Sequence, residues 1–192
     1  HRHFRRQRQM CIRDSKYMSQ LETKGDAVDK EVLTKNVYEL RTLETWDELP
    51  NIKQLLLRGI YSHGFEAPSP IQKKAILPLF DGKDVIAQAQ SGTGKTGCFT
   101  IGTLQRIDTE DKNIQALIIA PTRELSSQIK LVLDAIGCMM PNLVTQLLVG
   151  GTSTDVDIEK LITNTPHIVV GCPGRVNLSL IHISEPTRPT LI

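Results

Sequence analysis

The 192-residue sequence predicts an α/β domain built on a parallel sheet with helices packed against it. The main observation is an order that repeats along the chain, in which a short apolar run is followed by a loop of small residues and then a helical pattern. Strands that alternate with helices in this way form parallel sheets with right-handed crossovers. A second observation is size, since a chain of this length with 40% hydrophobic residues can bury one ordinary core. We therefore expect one domain, with its loops gathered at the carboxyl edge of the sheet, where such folds bind ligands.

Two helices are predicted before the first strand, and the fold is expected to begin near Trp46. In "LPNIKQLLLRGIYSHG" Gly64 can end the first helix, whose apolar residues share one face. These residues are Ile52, Leu55, Leu56 and Ile60. In "SPIQKKAILPLF" Ser69 is expected to cap the second helix, with Pro70 at its first position.

Four strands are predicted from the apolar runs that follow. "DVIAQ" leads into a glycine-rich loop, "QALIIA" into "PTRELSSQIKLVLDAI", "LVTQLLV" into "GGTSTDVDIEKLI", and "HIVVG" into "CPGR". All four loops then lie at one edge of the sheet.

Composition excludes several classes of protein. No run of about 18 apolar residues occurs, so a membrane span is not expected, and the N-terminus lacks the apolar stretch of a secretory signal. The four cysteines lie far apart, with no C-x-x-C pair and no histidine at ligand spacing, so neither a zinc site nor a disulfide framework is implied. We expect a protein of a reducing compartment that does not associate with membranes.

The two ends differ in character from the middle of the chain. The first fifteen residues carry five arginines and one aspartate, which could indicate a basic arm that binds nucleic acid. However, "RQRQMCIRDS" and "SLIHISEPTRP" closely resemble translated sequencing-adapter sequence. We therefore expect residues 1–15 to be a non-native leader, 16–45 a flexible N-terminal extension, 46–177 a partial domain and 178–192 a non-native tail.

The loop "AQSGTGKT" has the composition of a phosphate cradle. Gly92 and Gly94 let the backbone amides approach phosphate oxygens, Lys95 adds a cation, and the Thr96 hydroxyl can ligate Mg²⁺. The pattern G-x-x-x-x-G-K-[ST] is met except at its first position, where Ala89 stands. A strand-to-helix turn that merely tolerates glycine is the plainer alternative.

Gln72, in "GFEAPSPIQ", has two possible roles. Its amide can pair with the N6 amine and N7 of adenine. Ser69 and Gln72 also have the spacing of a capping box, in which the glutamine only satisfies the helix N-terminus. Sequence alone leaves both roles open.

"PTREL", "GG" and "CPGR" place short donors and exposed backbone at loop tips. Arg123 and Arg175 can contact phosphates, and the Thr122 hydroxyl and the amides of Gly150 and Gly151 suit a sugar-phosphate backbone bound without base readout. Each motif is weak by itself, because Gly-Gly is usually a turn and a loop arginine is usually solvated.

Together, in this order and spacing, these motifs resemble the first RecA-like domain of a DEAD-box RNA helicase, over roughly Thr45 to Val176. Within that family, "LLRGIYSHGFEAPSPIQ", "LQRID" and "IVVGCPGRV" are most similar to the initiation factor 4A subfamily. The exon-junction subfamily is the nearest competitor.

The resemblance implies an ATP site, an Mg²⁺ ion held through ATP, and a grip on RNA. The residues implied for ATP are Trp46, Phe65, Gln72, Ala89, Gln90, Ser91, Gly92, Thr93, Gly94, Lys95 and Thr96, with Lys95 and Thr96 as the catalytic pair. Those implied for RNA are Pro121, Thr122, Arg123, Gly150, Gly151, Cys172, Pro173, Gly174 and Arg175. Phe65 would stack on adenine and Gln72 would read it, while Trp46 stands where the family usually has phenylalanine. Cys172 replaces the usual threonine, which removes one hydroxyl from the RNA contacts.

The resemblance also implies parts that the sequence lacks. The family uses an Asp-Glu pair to hold Mg²⁺ and water, and a second domain to complete the site. Neither follows Arg175 here. The strand that carries the Asp-Glu pair belongs inside the sheet, so we expect its loss to leave unpaired sheet edges. Because the Asp-Glu pair and the second domain are lacking, we expect no useful rate of ATP hydrolysis by this chain alone.

The function implied for the parent protein is ATP-dependent unwinding of RNA in translation initiation. Its implied partners are single-stranded RNA, bound without sequence preference, and translation-initiation scaffold proteins, and its implied state is a cytoplasmic monomer. The alternatives are an exon-junction helicase, nuclear in location, or a ribosome-biogenesis helicase. A non-catalytic fragment that binds nucleotide or RNA is a further alternative. A GTPase lacks support because no Asn-Lys-x-Asp motif is present.

Overall fold

Within the described residues, three parallel strands form the sheet. They are β1 (Ala116–Ile119), β2 (Thr145–Leu148) and β3 (Ile168–Gly171). The order is β1-β3-β2, and Ile168 pairs with both Ala116 and Thr145. All four residues of β3 are buried, as expected for the continuous apolar sequence of a central parallel strand. The predicted α/β class and three of the four predicted strands are confirmed.

The computed structural model describes residues 43–151 and 153–184. These belong to one compact unit, which begins at Arg41. The predicted leader (1–15), most of the predicted extension (16–45) and residues 185–192 lie outside the described residues. Leu43, which falls within the predicted extension, is buried in the core.

Six helices and one 3₁₀ turn surround the sheet within the described residues. The turn is Trp46–Glu48, and the helices are α1 (Gln54–Ser62), α2 (Pro70–Phe80), α3 (Lys95–Arg106), α4 (Arg123–Gly137), α5 (Thr154–Thr163) and α6 (Pro173–Ser184). The first two helices and the Ser69 N-cap confirm the predictions. The inward face of α1 differs slightly from the predicted one, since Leu55 is exposed and Leu57 is buried together with Leu56 and Ile60. None of the described helices is both long and apolar enough to cross a bilayer.

The remaining predicted strand, "DVIAQ", which is the first of the four along the chain, does not form. Residues 83–90 have no regular structure, and Ile86 is fully exposed. A strand forms only when a neighbour pairs with its backbone, and none of the described strands pairs with this segment. The apolar run of Val85, Ile86 and Ala87 predicted a strand, but the run could not show whether another strand would pair with it.

The core lies between the sheet and helices α1 to α4. Its largest fully buried side chains include Trp46, Leu56, Ile60, Ile101, Leu133 and Ile136. Helices α1 and α4 touch closely at Gly59, where an added Cβ would lie 1.9 Å from the Ile136 carbonyl oxygen. A smaller cluster of Leu148, Leu161, Val169 and Val176 lies beneath α5 and α6.

Candidate functional site

The glycine loop turns directly into the N-terminus of α3. Gly92 and Gly94 have φ values of 77° and 94°, a left-handed conformation that side chains disfavour. Gly94 is the residue before Lys95, the first residue of the twelve-residue helix. The loop amides and the helix N-terminus therefore form a site that favours an anion.

The loop's own side chains interact with its carbonyls. The Lys95 ammonium donates to the carbonyl oxygens of Ala89 and Gln90. Thr93 Oγ1 donates to the Gln90 oxygen at 2.8 Å. Lys95 and Thr96 are half-buried, whereas Gln90, Ser91 and Gly92 are exposed. A phosphate would offer the ammonium stronger acceptors than neutral carbonyls, so the residues fit a polyphosphate.

Gln72 connects the second helix to this loop. Its side chain is 3% exposed, and its Oε1 accepts a hydrogen bond from the Ser69 amide at 2.7 Å. Its Nε2 donates to the Gly94 carbonyl oxygen at 3.0 Å. The predicted capping role is therefore present, together with a contact to the glycine loop that the sequence did not reveal. Reading of adenine stays a prediction.

Phe65 packs beside the same loop. A Cβ added to Gly97 would lie 2.7 Å from the Phe65 ring, so glycine at this position admits the ring to α3. The half-buried ring stacks on Trp46 with centroids 6.4 Å apart, and His63 meets it edge-on. Trp46 is fully buried, and its Nε1 donates to the Phe65 carbonyl oxygen at 2.9 Å. Trp46 thus packs against Phe65, and its contact with a bound base stays a prediction.

The loops after β1 and β2 meet at the carboxyl edge of the sheet. Thr122 Oγ1 accepts from the Leu125 amide at 3.2 Å, so it caps α4. Arg123 is exposed, and its Nη1 donates to the Gly150 carbonyl oxygen at 3.1 Å. Gly151 next to it has a φ of 102°. The predicted PTREL and GG motifs are therefore neighbours in space.

The CPGR loop after β3 joins the same edge. Cys172 Sγ lies 3.5 Å from Ser126 Oγ, and Ser126 donates to the Thr122 carbonyl oxygen at 2.9 Å. Pro173 and Gly174 are exposed. Arg175 behaves differently, because its side chain is 9% exposed and paired with Asp157. The structure therefore brings the three loops together but turns Arg175 inward.

Asp157 is the partner of Arg175, and the sequence patterns did not point to it. It lies four residues before the buried Leu161 on α5, so the helical period places it on the inward face. An acidic residue at an inward position is rarely buried without a partner. That combination could have predicted a buried ion pair, although not its partner.

The described residues show one thiol with a strongly shifted pKa and no cluster of metal ligands. Burial of Cys98 on α3 raises the pKa of its thiol to about 11. Within residues 43–151 and 153–184, no group of three histidine, cysteine or acidic side chains could hold a metal ion.

Comparison with known proteins identifies the family. The family model for the DEAD/DEAH box helicase matches residues 69–189, which is well over half of the chain. The chain belongs to this family. The match begins at Ser69, the cap of the helix that carries Gln72, and ends at residue 189, beyond the last residue of α6.

Curated relatives place the chain near initiation factor 4A. It is 55% identical over 136 residues to "ATP-dependent RNA helicase eIF4A" of Pyricularia oryzae, covering 71% of this chain and 34% of that protein. It is 52% identical over 152 residues to "Eukaryotic initiation factor 4A" of Caenorhabditis elegans, covering 79% and 37%. The DEAD-box chain described here thus spans about a third of the length of these relatives.

Solved structures share the fold. Saccharomyces cerevisiae Dbp5 bound to RNA and ADP BeF3 is 38% identical with a TM-score of 0.63, covering 73% of this chain and 34% of that one. A DEAD box protein from Methanococcus jannaschii is 29% identical with a TM-score of 0.68, covering 76% and 39%. Both likenesses agree with an α/β fold of RecA-like type.

Proposed function

We propose that this chain binds ATP at residues 89–96 and single-stranded RNA at the carboxyl edge of its sheet, as part of an ATP-dependent RNA helicase of translation initiation. The observation that carries the proposal is the contact of Gln72 and Phe65 with the helix that follows the glycine loop. A base-sized surface and a phosphate-binding loop therefore adjoin one another. The names of the curated relatives support the initiation role.

The residues have distinct parts in holding ATP. Lys95 and the amides of Gly92 and Gly94 would bind the negative charge of the phosphates. The Thr96 hydroxyl would ligate Mg²⁺, which neutralises phosphate charge when bound. Phe65 would stack on the base and Gln72 would read its edge, with Trp46 holding Phe65 in place.

RNA binding would use backbone contacts alone. Thr122, Arg123 and the amides of Gly150, Gly151 and Gly174 offer donors at one edge and no arrangement for reading bases. The solved structure of Dbp5 bound to RNA and ADP BeF3 supports RNA as the class of ligand. We therefore propose binding of single-stranded RNA without sequence preference.

Hydrolysis is proposed for the parent protein and not for this chain by itself. No adjacent Asp-Glu pair occurs between Arg175 and Ile192, so these residues do not supply the carboxylate pair that positions Mg²⁺ and water in such enzymes. We propose a cytoplasmic monomer that joins initiation scaffold proteins, with a nuclear relative of the exon junction or of ribosome biogenesis as the alternative.

Nucleotide preference tests the proposal. A fluorescent ATP analogue bound to the chain would be displaced by unlabelled ATP and GTP in separate titrations, each with Mg²⁺. We expect ATP to compete at least about tenfold better, because Gln72 offers a donor and an acceptor that match adenine. Equal competition, or a preference for GTP, would refute adenine recognition and favour another class of P-loop enzyme.

A further inference from the structure

The starting observation is the buried ion pair between Arg175 and Asp157. Arg175 Nε and Nη2 both donate to Asp157 Oδ2, at 3.0 Å and 2.7 Å, and Nη1 donates to Thr154 Oγ1 at 3.4 Å. The two side chains are 9% and 7% exposed. All three guanidinium nitrogens therefore have protein partners, and the charge is neutralised inside the fold.

Asp157 is itself fixed to the sheet. Gln146, a buried residue of β2, donates its Nε2 to the Asp157 carbonyl oxygen at 3.1 Å. Arg175 lies in the first turn of α6, directly after the exposed Pro173 and Gly174. The pair therefore ties the helix after the GG loop to the helix that begins in the CPGR loop.

The other two pairs of loops are also joined. Arg123 contacts the Gly150 carbonyl and so links PTREL with GG. Cys172 contacts Ser126 and so links CPGR with PTREL. With the Asp157–Arg175 pair, each of the three motifs is connected to the other two, either directly or through the helix that follows it. The three contacts differ in exposure, since Arg123 remains open to solvent.

We propose that Asp157 and Arg175 are positioning residues for RNA binding, which set the CPGR loop against the GG loop without themselves touching RNA. This inference rests on the proposed RNA-binding function. It changes the role that the family resemblance implied for Arg175 and adds Asp157, to which the resemblance gave no role. The direct cation at this edge is then Arg123.

Salt dependence separates a positioning residue from a phosphate contact. The logarithm of the association constant falls with the logarithm of the salt concentration, and each lost phosphate contact makes this slope shallower by about 0.7 for a single strand. Misplacement of a loop instead weakens binding at every salt concentration and leaves the slope unchanged. The experiment measures fluorescence anisotropy of a labelled oligouridylate with the 192-residue chain over a range of KCl. The variants are Arg175→Gln, Asp157→Asn and Arg123→Gln, with Glu159→Gln as a matched control, because Glu159 is an exposed acid on the same helix.

We expect Arg175→Gln and Asp157→Asn each to weaken binding about tenfold, since each breaks a charged hydrogen-bond network, with the salt slope unchanged. Arg123→Gln should lower the slope by about 0.7, and Glu159→Gln should match the wild type. A shallower salt slope for Arg175→Gln, or tighter RNA binding by Asp157→Asn, would overturn the inference. Absence of binding by the wild-type chain would instead refute the proposed RNA-binding function.

A second variant covers the case in which removal of either charge unfolds the chain. Arg175→Lys keeps the cation but loses the planar fork that reaches both Asp157 and Thr154. A positioning role predicts weaker binding at an unchanged slope for this variant. A direct phosphate contact predicts binding close to wild type, because lysine also binds phosphate, and that result would contradict the inference.

Discussion

Gln72 Nε2 donates a hydrogen bond to the carbonyl oxygen of Gly94, 3.0 Å away, and so joins the helix of the glutamine motif to the phosphate loop. The same amide accepts from the Ser69 backbone. One side chain therefore fixes a helix start and the last glycine before α3. Changes at Gln72 should affect both stability and nucleotide binding.

Gln72→Glu tests this coupling. Glutamate keeps the acceptor for Ser69 but places an oxygen against the Gly94 carbonyl, so we expect the free energy of unfolding to fall by about 1–3 kcal/mol. ATP affinity should fall with it. The sequence shows only the capping box, which glutamate preserves, and therefore predicts an almost unchanged melting temperature for Gln72→Glu. The contact with Gly94 changes that expectation. Urea unfolding and ATP titration measure both quantities, and Gln128→Glu, an exposed change on α4, should alter neither.

Gly97→Ala tests the placement of Phe65. The new Cβ would lie 2.7 Å from the ring and 2.9 Å from Gln72 Nε2, so Phe65 must move. We expect ATP affinity to fall several-fold, while stability changes by less than about 1 kcal/mol because alanine favours the helix. A double-mutant cycle with Phe65→Ala provides the check. Equal effects of Gly97→Ala with and without the Phe65 ring would show that the ring is not involved.

Gly171→Ala tests the tight packing at the end of the central strand. Its Cβ would lie 2.4 Å from the Leu148 carbonyl oxygen, a backbone atom that cannot rotate away. We expect a loss of about 2–3 kcal/mol in the free energy of unfolding. Gly174→Ala is the matched control, because nothing lies within 4 Å of its added Cβ. Similar denaturation midpoints for the two variants would contradict the packing described here.

The Cys98 thiol should give stability a specific dependence on pH. Its pKa is raised from 9.0 to about 11 by burial, so the folded chain keeps a proton that the unfolded chain loses. The contribution of the thiol to the free energy of unfolding is complete below pH 9 and is lost as pH rises to about 11, a loss of up to about 2–3 kcal/mol.

The difference between variants isolates this contribution. Urea unfolding between pH 8 and about 11 should show a shallower decline for Cys98→Ala than for wild type. Cys138→Ala, which changes an exposed thiol, should follow the wild type. Parallel pH profiles for wild type and Cys98→Ala would show that the thiol ionises normally.

Local patterns predicted the elements that make their own contacts. Helical periodicity predicts the buried face around Ile60, and capping chemistry predicts the Ser69 cap. The continuous apolar run predicts the buried strand β3. The glycine loop could likewise be placed, because Gly92 and Gly94 are needed for its left-handed turns.

The remaining features depend on residues far apart in sequence. The strand predicted at 84–88 has no partner among the described strands, and a short apolar run cannot reveal whether a partner exists. The burial of Arg175 could not be predicted, because its partner Asp157 lies eighteen residues earlier in the sequence. The stacking of Trp46 on Phe65 joins two rings that lie nineteen residues apart in sequence, and only the fold brings them together.

The most direct test of the central claim is calorimetric titration of MgATP into the wild-type chain and into Lys95→Ala. Lys95 contacts only loop carbonyls among the described side-chain bonds, so its removal should leave the fold intact. We predict measurable binding to wild type and a loss of at least about tenfold in affinity for the variant, with Lys83→Ala, an exposed lysine before the loop, unchanged. Equal affinity of wild type and Lys95→Ala would contradict the assignment of this loop as the phosphate site.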